Sequence, residues 1–520
     1  MRVALIASPY PLEEAPAPPL GLCYVASAFL SAGADVRIFD FVVNGYSKEK
    51  LAKWMKEFDP QLVGGNSVTM NFPQAADILC DAKDINPDVV TLMGGPHVTF
   101  WARQTLDTYP GIDMIILGEG EGTARDLVEH GLDRSAWPRV EGIAFREKGG
   151  VHTTHRRPFI QDLDSLPLPA RHLLPLSRYR ALGFPVSIIT SRGCPNRCIF
   201  CLGRRMVGHK VRYRDVTKVA DEIETLIAMG FSRINVADDL FTANRRRVRA
   251  LCEEIKRRGM KFAWTAFARV NTVDKSTLEM MVEAGCDCVS FGLETGSPEI
   301  LKTARKGTTL DKARKAAKLC VETGMMGFGS FIVGLPGETA ETLAQTEEFA
   351  ASLGILFGYH HLAPFPGTTV AEHLEDFDLE ILSEDFSLYD ANRPVTRTAA
   401  LSAADQAAFV NKYNDMCDEE WQKKLADYEK GLLGPMDSLR VEGNENLNLM
   451  YRVLTDDLVE SLGQAASVNG DRAKAASTLA ERLIAATGAE PKVVKRVMEG
   501  LLKRDLLVLE TGSWKWAPNP

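Results

Sequence analysis

"PVSIITSRGCPNRCIFCLG", Pro185 to Gly203, decides how the middle of this chain is read. An apolar, β-branched run ends in a polar loop that carries three of the ten cysteines, Cys194, Cys198 and Cys201. "VSIITS" reads as a strand, because β-branched residues favour a pleated backbone and turn formers bound the run. The pattern recurs downstream at "RINVADD", "KFAWTAF", "CVSFGLE", "GFGSFIVG" and "YHHLAP", with helical periods in between. "VTKVADEIETLIAMG", "KSTLEMMVEAG" and "LDKARKAAKLCVETG" each stop at Gly, the residue that most easily takes the left-handed turn closing a helix. Six such units fall short of the eight in a closed barrel, so the expectation is a partial (β/α)6 TIM-like barrel over residues 184–368. Its site then lies at the C-terminal ends of the strands.

Three clustered thiols need a use. A structural zinc site takes four ligands, usually as two pairs, and the nearest histidine, His209, has no second CxxC beside it. A redox dithiol of Cys198 and Cys201 leaves Cys194 without a role. Chance core cysteines do not suit so polar a loop. An iron–sulfur cubane remains, and three protein thiolates on it leave one iron open to a substrate. The other seven cysteines lie singly or on the strand-like "CDC", and read as core residues.

Upstream, "RVALIA", "DVRIFD", "QLVGGNS", "VVTLMGG" and "DMIILGEG" alternate with "LGLCYVASAFLSAG", "SKEKLAKWMKEF", "FPQAADILCDAKDI" and "VTFWARQTLDTY". Four of these five strands are solidly apolar, and between amphipathic helices they predict a parallel sheet covered on both faces, with its ligand beyond the strands' carboxyl ends. The fold class is therefore α/β. A doubly wound Rossmann-like domain spans 1–132, and a connector with a β-hairpin turning at Gly149–Gly150 spans 133–183. The barrel follows, and then a mostly helical region, 369–520, with a winged helix near 470–518.

With 45% apolar and 25% charged residues and a net charge of −8, the chain is globular and has no global pull toward nucleic acid. No apolar run approaches the roughly eighteen residues of a membrane span. The N-terminus reads as a strand and not as a signal peptide, so a cytoplasmic location with reduced thiols is expected.

The cysteine loop, with the aromatic Phe200 just before its last Cys, resembles the signature of the radical S-adenosylmethionine (SAM) superfamily. The resemblance runs through the barrel, one segment per strand. It implies a [4Fe-4S] cluster on Cys194, Cys198 and Cys201, and SAM held by Phe200, by Asp238 or Asp239 in "ADDLFTAN", by Arg269 in "WTAFARV" and by Glu294 in "SFGLETGS". Ser330 and Gly334 in "GSFIVGLPGET" and Pro364 in "LAPFPGTT" would flank the adenine. The protein's part would be binding and orientation, while the cofactors carry the radical chemistry.

The first domain resembles the cobalamin-binding domain of cobalamin-dependent radical SAM enzymes. That implies cobalamin contacts from Ser67 and Thr69, and close backbone approach at Gly94, Gly95, Gly118, Glu119, Gly120 and Gly122. The cobalt-ligating DxHxxG motif is absent around His97, so cobalt without a histidine below it is expected, unless the domain has lost the cofactor. The function implied is transfer of a methyl group from SAM, by way of cobalamin, to an unactivated carbon of a small molecule or peptide. A flavodoxin or ferredoxin would supply electrons. A non-methylating enzyme resembling the anaerobic magnesium-protoporphyrin ester cyclases, and a cobalamin-sensing regulator, are the alternatives. His360, His361 and Tyr359 at the end of the sixth strand read as proton acceptors or as packing residues. The basic run "RRMVGHKVRYR" reads as an anion contact or as a solvated loop.

Overall fold

The computed structural model describes residues 1–464 and 471–519; residue 470, where the winged helix is expected to begin, lies outside them. Five parallel strands, β1 (Arg2–Ala7), β2 (Asp35–Asp40), β3 (Leu62–Asn66), β4 (Val90–Gly94) and β5 (Met114–Ile116), form the first sheet in the order β2-β1-β3-β4-β5. Their side chains feed separate cores on the two faces, one around Phe58, Leu79 and Val98, the other around Phe29, Leu127 and Trp137. Burial on both sides is why the inner strands are largely apolar, while the edge strand β2 exposes Asp35 and Arg37.

The predicted hairpin forms as β6 (Ile143–Glu147) and β7 (Gly150–Thr153), but it is not a free connector. β6 pairs antiparallel with β5 and extends the first sheet to seven strands, burying Ile143, Ala144 and Phe145. The helical stretch expected over 98–109 is two helices, Pro96–Phe100 and Ala102–Thr108, separated by Trp101.

Six parallel strands make the second sheet: β8 (Val186–Ile188), β11 (Arg233–Val236), β12 (Ala263–Ala268), β13 (Cys286–Glu294), β14 (Met326–Val333) and β15 (Leu356–His361). They run in sequence order from β8 to β15 and leave the barrel open. Between β8 and β11 a short antiparallel ribbon, β9 (Ser191–Arg192) with β10 (Arg212–Tyr213), frames the cysteine loop. β15 begins three residues earlier than the sequence pattern implies, which leaves His360 and His361 as its last two residues.

Past the barrel, helices Ala403–Glu429, Pro435–Thr455, Arg472–Thr487 and Pro491–Lys503 lead into a two-stranded wing, Leu507–Glu510 with Ser513–Trp516. The core of this unit includes Val453, Leu483, Val497 and Trp514 and reaches Tyr179 and Val43. It docks on the connector and the first domain. The helix Ala403–Glu429 instead lies along β15, where the Tyr413 hydroxyl donates to the Phe357 carbonyl at 2.7 Å.

Of the seven cysteines outside the loop, Cys23, Cys252, Cys286 and Cys320 are buried, and Cys80 and Cys288 are partly so. Cys417 is exposed on a solvent-facing helix turn, against the core assignment.

Candidate active site

The cysteine loop leaves β9 at Gly193, whose φ of +116° suits glycine alone. An added Cβ there would overlap the Lys210 carbonyl oxygen. The loop is pinned at Cys194, whose amide donates to the Gly208 carbonyl at 3.0 Å, and at Ile199, whose amide donates to the Ala304 carbonyl at 3.2 Å. Each sulfur faces an N–H donor: Asn196 Nδ2 lies 3.2 Å from Cys194 Sγ, the Gly203 amide 3.4 Å from Cys201 Sγ, and Arg269 Nη1 3.7 Å from Cys198 Sγ. Among the described residues no three His, Cys, Asp or Glu side chains converge as a single metal ion requires. Three separate thiols, each with its own N–H, suit the corners of a cluster, where hydrogen bonds to sulfur tune the potential.

Below the loop, Asp238 is buried and saturated. It accepts from the Thr190 amide, the Thr190 hydroxyl and the Ser191 hydroxyl, each at 2.6 Å. It therefore holds the loop's base and has no oxygen free for a ligand amine. Its neighbour Asp239 accepts from the Gly193 amide at 3.1 Å and faces the space between the domains.

A cavity of about 440 Å3 opens at the barrel's C-terminal end. Phe200, Glu294, Ser330, His360 and His361 line it, with Phe267 and Phe328 giving apolar walls. Pro364 is not among its lining residues, although its neighbours Ala363 and Phe365 are. Gly334 lies elsewhere, its position facing Gln406 of the helix along β15.

Glu294 ends β13 after a bulge and holds a φ of +68°, a left-handed conformation rare for a side chain of its size. Its carboxylate pairs with Lys306 Nζ in a contact buried on both sides. Gly292 makes room for the pair, since a Cβ there would stand 2.8 Å from Lys306 Nζ. Lys306 Nζ also lies 5.9 Å from the Phe200 ring centroid, and its carbonyl accepts from Arg269.

Arg269 is buried and, among the described residues, has no carboxylate partner and leaves its Nε without an acceptor. A buried guanidinium beside the Cys198 thiol, with an unpartnered N–H, calls for an anion. The methionyl carboxylate of SAM meets that need, so the residues present fit the cofactor.

Tyr359 does not reach the cavity. Side chains alternate across a strand, and its parity, opposite to His360, sends it into an aromatic cluster with Phe331, Phe357, Phe409 and Tyr413. Burial pushes its phenol well above the usual range. Burial lowers the His360 imidazole against the opposing pull of Glu294 and Glu14, and lowers that of His361 to about 4. Both rings are therefore neutral acceptors near pH 7.

A second cavity, of about 310 Å3, lies between the first domain and the barrel. Gly94, Gly95, Gly118, Glu119 and Gly120 line it from the carboxyl ends of β4 and β5, with Leu5, Leu92 and Ile116 as apolar wall. At Gly118, with φ +78°, an added Cβ would meet nothing within 4 Å and would stand in the open space. Such a glycine-rimmed apolar cradle fits the edge of a corrin ring. Ser67 and Thr69 are buried behind it. Ser67 Oγ rests 3.7 Å from Met93 Sδ, and Thr69 Oγ1 lies 3.3 Å from His97 Nδ1. Gly122 packs against Arg157.

The basic run after the cysteines is solvated only in part: Arg205, His209 and Lys210 are exposed, while Arg212 and Arg214 are buried. Met206 and Val207 wall the second cavity, and Arg212 grips Glu119 with two bonds of 3.0 Å. Arg192 binds Glu119 at 2.9 Å and Glu121 at 2.7 Å. This buried knot ties the loop after β5 to the ribbon that frames the cysteines. Lys306, Arg192 and Arg212 escaped sequence reasoning, because a lysine in "ARKGTT", an arginine in "TSRGC" and one in a basic run look like surface residues.

Residues 188–350 match the Radical SAM superfamily and residues 14–128 the B12 binding domain. The chain is 37% identical over 398 residues to an uncharacterized methyltransferase of Pyrococcus horikoshii, covering 76% of this chain and 86% of that one. It is 33% identical over 401 residues to an anaerobic magnesium-protoporphyrin IX monomethyl ester cyclase of Cereibacter sphaeroides, covering 75% and 65%. In fold it resembles the radical SAM methyltransferase TsrM of Kitasatospora setae, solved with cobalamin and a [4Fe-4S] cluster, with a TM-score of 0.65 at 18% identity over 96% of this chain and 99% of that one.

Proposed function

The chain belongs to the radical SAM superfamily, among members whose barrel follows a B12 binding domain, and from that premise we propose that it is a methyltransferase acting at an unactivated carbon. Bound together, the cluster, SAM and cobalamin supply a methyl donor, a cobalt carrier and a radical initiator.

One observation carries the reading: a single loop walls both cavities. Ser191, Arg192, Met206 and Val207 face the glycine-rimmed space between the domains, while Phe200 faces the barrel cavity. Methyl transfer between SAM and cobalt needs the two sites to share a boundary, and this loop is that boundary.

Within the proposal, Cys194, Cys198 and Cys201 hold the cluster, and Arg269 receives SAM's carboxylate. Glu294 and Lys306 fix the polar end of the cavity, and Ser330 and Phe200 orient the ligand. The neutral His360 ring, exposed at the cavity, accepts a proton from substrate. Glycines at 94, 95, 118 and 120 let backbone meet the corrin. Thiols stay reduced in the cytoplasm, where we place the protein, with a one-electron donor of the flavodoxin or ferredoxin type.

The test uses anaerobically reconstituted protein, cobalamin, a reductant, methyl-deuterated SAM and a small-molecule extract of the source cells. S-adenosylhomocysteine and 5′-deoxyadenosine should both form, with the labelled methyl recovered in a product. The identity to an ester cyclase favours a second reading, oxidation or ring closure without methyl gain. Deoxyadenosine without homocysteine product or label would establish that reading and remove the first.

A further inference from the structure

The segment closing the outer side of the cysteine loop opens onto a surface groove of about 750 Å3, lined by Lys302, Arg305, Gly307, Thr308, Lys312 and Arg314 among others. Between Glu299 and Lys318 the chain carries seven cations and two acids, although its net charge is −8. Lys306 is bound by Glu294, Arg314 lies 3.6 Å from Asp311, and Lys318 lies 3.7 Å from Glu322. Among the described residues, the exposed Lys302, Arg305, Lys312 and Lys315 have no acidic partner within ion-pair distance. The Thr308 hydroxyl in the groove is buried and also lacks a partner.

This cationic surface lies one residue layer from the cluster loop. Gly307 lines the groove, and a Cβ added there would stand 3.8 Å from Arg269 Nη2. The same guanidinium reaches Cys198 Sγ at 3.7 Å. Ala304, beside groove-lining Arg305, accepts the Ile199 amide. Elsewhere around the loop, the barrel cavity takes the ligand side, and the first domain covers the ribbon through Glu119 and Glu121.

We propose that this groove is the docking surface for a small acidic protein that donates one electron to the cluster. The proposal rests on the functional reading above, in that it needs a reducible cluster on Cys194, Cys198 and Cys201. Its charge matches an acidic partner, and field focusing by such a patch raises encounter rates in a salt-dependent way. On docking, the donor loses one electron and the cluster gains it; no bond is made or broken.

The probe is a flavodoxin of acidic surface, used with anaerobically reconstituted holoenzyme. Two quantities are read: the affinity of oxidised flavodoxin by fluorescence anisotropy, and the rate at which reduced flavodoxin bleaches the cluster's visible absorbance. In K302E/K312E/K315E both should fall at least about tenfold at low salt, while bleaching by dithionite stays within about twofold of wild type. Because the screening length shrinks from about 30 Å at 0.01 M to about 8 Å at 0.15 M salt, the wild-type flavodoxin rate should drop over that range and the variant's should not.

Equal flavodoxin affinity and rate in wild type and variant overturn the docking site. If charge reversal impairs folding, K302Q/K312Q/K315Q takes its place. A smaller loss confined to flavodoxin supports the site, and an equal loss with dithionite overturns it. Should no cluster assemble at all, the functional reading falls, and the affinity measurement still decides the surface.

Discussion

Replacing Glu119 by Gln withdraws one charge from the knot that joins the two α/β units. In the intact protein the Glu119 carboxylate accepts two bonds from Arg212, one from Arg192 and one from the Ile160 amide at 2.8 Å. After substitution Arg192 keeps Glu121, while Arg212 keeps the carbonyls of Val207 and Ile160 and one uncharged amide oxygen of the new glutamine. One buried guanidinium is left without a counter-charge. Removing one partner of a buried pair costs about 3–5 kcal/mol, and the two surviving carbonyl contacts put this case near the lower end, at about 3 kcal/mol. A chain of several domains has no single unfolding free energy, so the loss is best read locally. Amide exchange in the Ser191–Arg192 ribbon should speed up by roughly two decades, at about 1.4 kcal/mol per decade. In a cycle with R212M, the double variant should lose less than the sum of the singles by about 0.5–3 kcal/mol. Burial alone would raise the Glu119 carboxyl, but Arg212 and Arg192 outweigh it and hold it below the ordinary range. Its stabilisation is therefore present above the unfolded value, near about 4.3, and is lost as pH falls through the folded value. Acid loosening of the interface that E119Q abolishes is the second expected signature. Unchanged ribbon exchange in E119Q, or strict additivity with R212M, would refute the view that this knot holds the loop to the first domain.

Gly193→Ala should cut iron and sulfide per chain after reconstitution to less than half of wild type, because its Cβ meets the Lys210 carbonyl at a left-handed φ. Lys306→Met leaves the Glu294 carboxylate buried without a cation, and should cost about 3–5 kcal/mol of local stability, read as faster amide exchange at the end of β13, while weakening SAM binding measured by calorimetry. His97, stacked on Phe72 and buried, has its imidazole lowered to about 3. The unfolded chain takes up a proton near about 6.5 and the folded one does not, so stability should fall as pH drops from about 6.5 toward 3, by at most about 1.4 kcal/mol per pH unit. Melting temperature against pH checks this, and H97F should flatten the slope.

The two sheets were legible because each strand is buried on at least one face and flanked by helices of regular period. The six barrel strands follow in the expected order, β15 beginning three residues early, with the cysteine loop at their C-terminal end. The misses have local causes. A hairpin's own sequence says nothing of which edge it joins, and β6 finds the free side of β5. Adjacent aspartates look equivalent in sequence, yet Asp238 turns inward to three loop donors and Asp239 turns to the cleft. Tyr359 and His360 are neighbours, and strand parity separates them. Lys306 sits among six other cations between Glu299 and Lys318, and only the tertiary fold shows which one is buried.

The strained backbone points are informative for the same reason. β13 pairs regularly with β14 as far as Gly292, opposite Ser330, and then gains a residue, so that Glu294 rather than Leu293 stands opposite Phe331. A regular strand would carry Glu294 one step further along β14, beside Ile332. The bulge retains it lower, and the positive φ turns its carboxylate to Lys306 across the space that Gly292 leaves. Holding a bulky residue left-handed costs on the order of 1–3 kcal/mol and persists only where surroundings over-determine it. Here they do: the Lys306 ammonium fixes the carboxylate, the Lys306 carbonyl fixes Arg269, and Arg269 reaches Cys198. The bend at Glu294 and the turn at Gly193 thus converge on one cysteine loop from opposite sides. A packing residue at position 294 would relax to ordinary geometry; Glu294 is held out of it by charged partners that end at a sulfur, whereas Gly193 takes its turn without strain.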